Sequence, residues 1–154
     1  VTLHVGPGSF LPLEPAQPGA QSLSPEHLLT PRIMAERYEV SAQTWSRISE
    51  TKQSGGRIIA VGTTVARTLE TVAQEVVQSC PRAAIIGTSS LCIRPGFDFK
   101  LVDGLITNFH QPRTTHLLLV SAFMGGGEMS EIYRHALRGD YRFLSYGDGM
   151  LLLP

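Results

Sequence analysis

A chain of 154 residues has the length of one ordinary domain and can bury most of its unfolded apolar surface in a single core. Its hydrophobic fraction of 42% is that of a globular protein, but its charged fraction of 17% is low, which suggests a surface partly covered by a partner or by further chain. Thirteen basic residues balance thirteen acidic ones, so no global field draws it onto nucleic acid or an anionic membrane, and any RNA contact must come from a local patch.

The apolar run Leu117-Leu118-Leu119-Val120 is far too short to span a bilayer, and nothing resembles a secretory leader. The chain therefore reads as cytoplasmic, without a membrane partner. Cys80 and Cys92 are too few for a disulfide scaffold and lack zinc-site spacing, so buried free thiols are expected. The opening Val1 runs directly into the strand-like Thr2-Leu3-His4-Val5, as in a piece cut from a longer protein.

Six of the ten prolines fall within residues 7–31, where they fix φ and remove backbone donors, so this stretch is expected to be an irregular loop. Ser41 is a good N-cap, Val40 and Trp45 occupy the two positions of a hydrophobic staple, and Gly55-Gly56 supplies a stop, which predicts a helix over 42–53. Arg57-Ile58-Ile59-Ala60-Val61 reads as a strand covered on both faces. Behind it, Val65, Leu69, Val72 and Val76 recur at helical spacing up to Pro81. Between Ala83 and Asn108, short apolar runs broken by Gly87, Pro95-Gly96 and Asp103-Gly104 read as three or four strands. Helices are expected over 114–124 and 129–137, and a strand over 141–146 before the Gly147-Asp148-Gly149 turn.

Three polar turns are candidates for chemistry. Gly62-Thr63-Thr64 leads a strand into a helix, and such a helix start offers unpaired N–H groups and partial positive charge to a phosphate, carboxylate or hydroxyl-rich ligand; the threonines serve equally well as plain caps. Thr107-Asn108-Phe109-His110 places an amide, an aromatic ring and an imidazole at a strand end, with His110 suited to general-base work near neutral pH, although a lone histidine more often satisfies backbone groups. In the third turn Tyr146 offers a ring for stacking, and Asp148 offers a carboxylate for a cation or a ribose hydroxyl; turn chemistry and core packing explain the same residues. The arginines are scattered, as on a solvated face. Glu36 and Glu70 are the carboxylates nearest the polar motifs, and helix-surface ion pairs account for them as readily.

In order along the chain, Thr2-Leu3-His4-Val5-Gly6, Ile59-Ala60-Val61-Gly62-Thr63-Thr64 with Arg67 and Glu70, Pro95-Gly96-Phe97, Thr107-Asn108-Phe109-His110 with Pro112, Ser121-Ala122-Phe123, and Tyr141-Arg142-Phe143 with Ser145-Tyr146-Gly147-Asp148 resemble the C-terminal part of the S-adenosylmethionine:tRNA ribosyltransferase-isomerase family. The resemblance spans the whole chain. It implies an α/β fold in which residues 1–154 form the C-terminal portion of a barrel-like main domain of mixed strands with packing helices, without the N-terminal part and inserted β-domain of the family. The implied reaction moves and isomerises the ribosyl group of S-adenosylmethionine onto 7-aminomethyl-7-deazaguanine in a tRNA anticodon, giving epoxyqueuosine. S-adenosylmethionine is the implied co-substrate with no metal, and the implied partners are the tRNA anticodon loop and the missing N-terminal part of the same protein.

Residue chemistry then suggests roles. The sulfonium acidifies the 5′-carbon of the substrate, so a base must take a proton there, and His110 leads, with Asp148 or Glu36 facing positive charge. Gly62, Thr63, Thr64, Arg67, Asn108, Phe109, Tyr146 and Gly147 are candidates for substrate binding, and Arg113 and Arg142 for RNA. The chain departs from the family where Pro31-Arg32-Ile33-Met34 replaces a His-x-Met-His run before Glu36, and where Thr114-Thr115-His116 replaces Ser-Thr-Leu. A diverged adenosine- or RNA-binding relative and a transferase with a different acceptor are the alternatives.

Overall fold

The computed structural model describes residues 1–6, 33–75 and 83–154. The expected proline-rich loop over 7–31 lies outside them, as do Cys80 and the last turns of the helix expected up to Pro81.

Strand β2 (Glu36–Val40) buries Glu36, Tyr38 and Val40 and exposes Arg37 and Glu39, the alternation of a strand with one covered face. It pairs antiparallel with β1 (Thr2–Leu3) on one side and β4 (Ile85–Ser89) on the other. Helix α1 (Ala42–Gln53) begins where the sequence predicts: the Ser41 hydroxyl accepts the Thr44 N–H at 3.2 Å, and Val40 and Trp45 are buried in one cluster. In a second sheet, β3 (Ile59–Val61) runs parallel to β5 (Gly104–Asn108), and β5 pairs antiparallel with β6 (Gly149–Leu152).

Helix α2 (Thr63–Glu75) crosses from β3 and touches strands of both sheets. All positions from Thr63 to Val72 except Thr64 and Val65 are buried, as this double contact requires. Its Ala66 and Leu69 join Ala60, Leu105, Val120 and Phe123 in the main core, and its Val72 joins Tyr38, Val40 and Trp45 in a smaller one. Helices α3 (Thr115–Met124) and α4 (Gly126–Arg138) pack on each other and close the main core. The fold is mixed α/β; among the described residues the strands form two open three-stranded sheets and no closed barrel.

Three expectations from sequence need correction. The strand at 57–61 is covered on one face only: Ala60 is buried, but Val61 is 64% exposed, and with its neighbours Ile106 and Leu151 it forms an apolar outer face across β3, β5 and β6. Residues 83–108 hold two strands, not three or four. The segment between them is tied down by a side chain instead of a ladder, because the buried Glu70 carboxylate accepts the N–H groups of Lys100, Leu101 and Val102 at 2.8, 3.0 and 2.9 Å. Residues 141–146 form a turn, not a strand. Leu144 takes a positive φ of 60°, its N–H donates to Phe109 O at 2.9 Å, and the Arg142 N–H donates to the Asp148 carboxylate at 2.6 Å; the strand lies beyond, at β6. Among the described residues no helix is long and apolar enough to cross a membrane.

The packing of β2 on β4 makes one position sensitive. A Cβ on Gly87 would stand 2.5 Å from Tyr38 Oη and 2.7 Å from Cζ, and Tyr38 is fully buried with its hydroxyl donating to Glu75 at 2.5 Å. Burial and the adjacent Glu75 carboxylate push the Tyr38 hydroxyl pKa well above its ordinary value, so it stays a donor. Gly87→Ala is expected to cost about 1–3 kcal/mol in urea unfolding through this overpacking.

Candidate functional site

The parallel pairing of β3 with β5 sets their C-terminal ends side by side, with Val61 opposite Ile106 and the Gly62 N–H donating to Ile106 O at 2.8 Å. Gly62 then turns into α2 with φ of 94°, a conformation that favours glycine. β5 ends on Asn108, which pairs with Gly149 at the start of β6. The turns at 62–64, 107–110 and 145–148 therefore lie along one end of one sheet, the carboxyl end of its parallel pair, where α/β sheets place ligands.

The side chains of these turns diverge in use. Thr63, Thr64 and Arg67 line a small cleft, faced by Thr115 and His116 from the first turn of α3. Ile33, Leu91, Ile93 and Leu119 form its apolar wall. The loop bearing Leu91 and Ile93 is held by a buried pair, Thr71 Oγ1 to Ser89 Oγ at 2.7 Å, and the Leu91 N–H donates to Ser89 at 3.3 Å. On the floor, Arg67 is paired with Glu36, whose other oxygen accepts the Gly6 N–H at 2.7 Å. Glu36 is buried, so the pair joins β2 to α2 while neutralising a charge that would otherwise be costly to bury. Burial lowers the Arg67 pKa from its ordinary value. Its Nε has no hydrogen-bond partner among the described residues.

His110 lies behind His116, the two rings stacked with centroids 5.0 Å apart. Its Nε2 hydrogen-bonds Thr107 Oγ1 at 2.8 Å, and its backbone N–H donates to Tyr133 Oη at 2.8 Å. Burial, reinforced by His116, brings the His110 pKa down to about 4, so the imidazole is neutral at physiological pH and a weaker base than a free one. His116 is shifted down as well, by burial and then by Arg67.

The remaining candidates do not reach the cleft. Phe109 is in the core, its ring 5.8, 5.5 and 5.2 Å from those of Tyr133, Tyr141 and Phe143, so its side chain packs the fold and is not open to a ligand. Asp148 anchors its own turn through the Arg142 N–H, and the Asn108 amide donates to Asp148 O at 3.1 Å. Gly147, with φ of 142°, makes that turn possible. Tyr146 is 73% exposed, and Arg113 and Arg142 are exposed. Cys92 is a half-buried free thiol.

The sequence marks Thr115 and His116 only as a departure from the family pattern, not as site residues, and does not mark Tyr133. The signal for the first two was present: Thr114 precedes a helical apolar run, which puts Thr115 and His116 in a first turn, and its hydroxyl indeed accepts the Leu117 N–H at 3.2 Å. Tyr133 carries no local signal because its partner is 23 residues away.

Comparison with known proteins fits this arrangement. The sequence profile described as queuosine biosynthesis protein matches residues 1–152. The chain is 47% identical over 152 residues to the S-adenosylmethionine:tRNA ribosyltransferase-isomerase of Pelobacter propionicus, a match covering 99% of this chain and 40% of that protein. It is 44% identical over 153 residues to the protein of the same name from Thermotoga petrophila, covering 99% of this chain and 42% of the relative. It superposes on the crystal structure of S-adenosylmethionine tRNA ribosyltransferase from Thermotoga maritima with a TM-score of 0.71 and 48% identity, over 77% of this chain and 41% of that one. The chain thus spans about two-fifths of the length of these relatives. With the match running through every motif at the sheet end, the chain belongs to the queuosine biosynthesis protein family.

Proposed function

We propose that this chain supplies the C-terminal portion of the catalytic domain of a cytoplasmic tRNA-modifying enzyme. The reaction moves and isomerises the ribosyl group of S-adenosylmethionine onto 7-aminomethyl-7-deazaguanine in a tRNA anticodon, forming epoxyqueuosine with release of adenine and methionine. The observation that carries this reading is the match at 44–47% identity through 99% of the chain to proteins named for that transferase-isomerase chemistry. The geometry supports it, because the polar turns line up at the carboxyl end of a parallel strand pair beside a cleft with two helix starts.

In this reading Thr63 and Thr64, with the first turn of α2, hold oxygens of S-adenosylmethionine, and Asn108 lies at the same sheet end. His110 carries the proton removed from the acidified 5′-carbon and returns a proton to the departing adenine. Its neutral form is the one able to accept. Glu36 acts through Arg67, to which it is bound. Asp148 keeps the third turn in shape, leaving the exposed Tyr146 to stack on a base and Arg113 and Arg142 to meet the RNA backbone. The apolar outer face of β3, β5 and β6 is covered by the N-terminal part of the same protein. No metal takes part.

The test incubates the full-length protein with S-adenosylmethionine and tRNA bearing 7-aminomethyl-7-deazaguanine and measures adenine. Release that depends on the modified base supports the reading. Binding of S-adenosylmethionine without adenine release would leave a diverged binding protein instead.

A further inference from the structure

Three elements converge on His110. Its Nε2 meets the Thr107 hydroxyl of β5 at 2.8 Å, and its backbone N–H donates to Tyr133 Oη of α4 at 2.8 Å. The His116 ring of α3 lies on its face, with centroids 5.0 Å apart and planes 20° from parallel. The first two contacts hold the residue in place, whereas the third brings a second titratable group against it. Both rings are half-buried, so water screens a charge on one from the other only in part. Two imidazolium cations this close repel, and they take up protons as a coupled pair. The other neighbours do not offset the repulsion. Tyr133 meets His110 through the backbone, Arg67 of α2 acts on His116 with a charge already paired with Glu36, and among the described residues no carboxylate shifts either ring. The two rings respond differently. Burial and then His116 lower the His110 pKa, whereas burial and then Arg67 lower that of His116, so the first proton goes to His116 and opposes a second on His110.

We propose that His116 is a positioning residue for His110: the stacked rings hold one proton between them, on His116, which leaves His110 neutral and able to accept. The use of that neutral ring rests on the function proposed above, in which His110 takes the proton from the acidified 5′-carbon. Two like groups whose surroundings separate their protonation divide the work, one holding charge and the other acting as base. His116 touches neither reacting atom in this scheme and acts only through the face of His110.

The test is a pH titration of the full-length protein followed by NMR of the imidazole groups, with His110→Ala identifying the His110 signal. His116→Phe keeps a stacked ring and removes the charge, and His116→Gln removes both. The wild-type His110 midpoint is expected near pH 4, and in either variant about one pH unit higher, because the burial that contributes most is retained. The kcat/KM of each variant, taken relative to its own value at pH 7, should then be about twofold lower at pH 5 than in the wild type. Altered packing alone acts at every pH alike and does not produce this change. An unmoved His110 midpoint in a folded variant, or a rise in His116→Gln that folded His116→Phe does not share, would overturn the pairing. An unmoved midpoint with adenine release intact sinks the pairing alone. A raised midpoint in a protein whose adenine release survives His110→Ala upholds the pairing and removes the proposed role of His110.

Discussion

Glu70→Ala is expected to lower the unfolding free energy by about 3–5 kcal/mol, the largest single effect on stability that the fold implies. Glu70 is fully buried, and its two oxygens take three consecutive backbone N–H groups from Lys100, Leu101 and Val102. Removing the carboxylate leaves these donors without acceptors inside the protein, at about 1–3 kcal/mol each before relaxation. Leu101 packs against both cores, so a shift of this segment loosens their junction as well. Glu70→Gln keeps the volume and one acceptor but turns an NH2 group toward donors, and should fall between the wild type and the alanine variant. Denaturant unfolding of the full-length protein measures both, and a loss under about 1 kcal/mol for Glu70→Ala would show that the 100–102 segment finds other acceptors.

The second large effect concerns the proposed chemistry. His110→Ala in the full-length enzyme is expected to reduce turnover at saturating substrates by about 10²–10⁴-fold, the usual contribution of a positioned proton-transfer group. The pH dependence discriminates further. With a pKa near 4 in the free protein, His110 is fully neutral at pH 6, so the acid limb of kcat/KM should fall near 4 and not near the 6.5 of an exposed histidine. Each unit of lowered pKa removes 1.36 kcal/mol of driving force for accepting a proton, so the proton is held briefly and passed on. The same shift links to stability. Between about pH 4 and 6.5 the unfolded chain binds a proton here that the folded chain does not, so stability rises with pH across that window and is lost toward its acid end. His110→Ala should flatten that part of the stability profile. Turnover unchanged in the variant would remove His110 from the reaction.

Local rules carried much of the fold. The cap at Ser41, the staple of Val40 and Trp45, the β-turn-α unit through Gly62 and the helix behind Thr114 were legible because each is decided by neighbours within a few residues. The segment 90–103 was not. Its glycines and apolar runs look like strand breaks, but its last N–H groups, at 100–102, are taken by a glutamate 30 to 32 residues earlier, which no periodicity records. The stretch 141–146 alternates like a strand, yet its backbone closes on Asp148 and Phe109. The candidate site divides in the same way. Thr63, Thr64 and His110 were visible as polar residues at strand ends, whereas the same reasoning placed Phe109 among the binding residues although its ring is core.

The sequence by itself determined the family, the mixed α/β class, and the three polar turns, since residue identities in order and short-range capping are enough for these. Tertiary structure alone decided which turn side chains meet. The parallel register of β3 on β5 brings the turns to one sheet end, and the core shared by α2 and α3 leaves His116 stacked on His110 and lining one cleft with Arg67. These contacts join residues tens of positions apart, and their energies come from burial and long-range pairing, which a linear pattern does not encode.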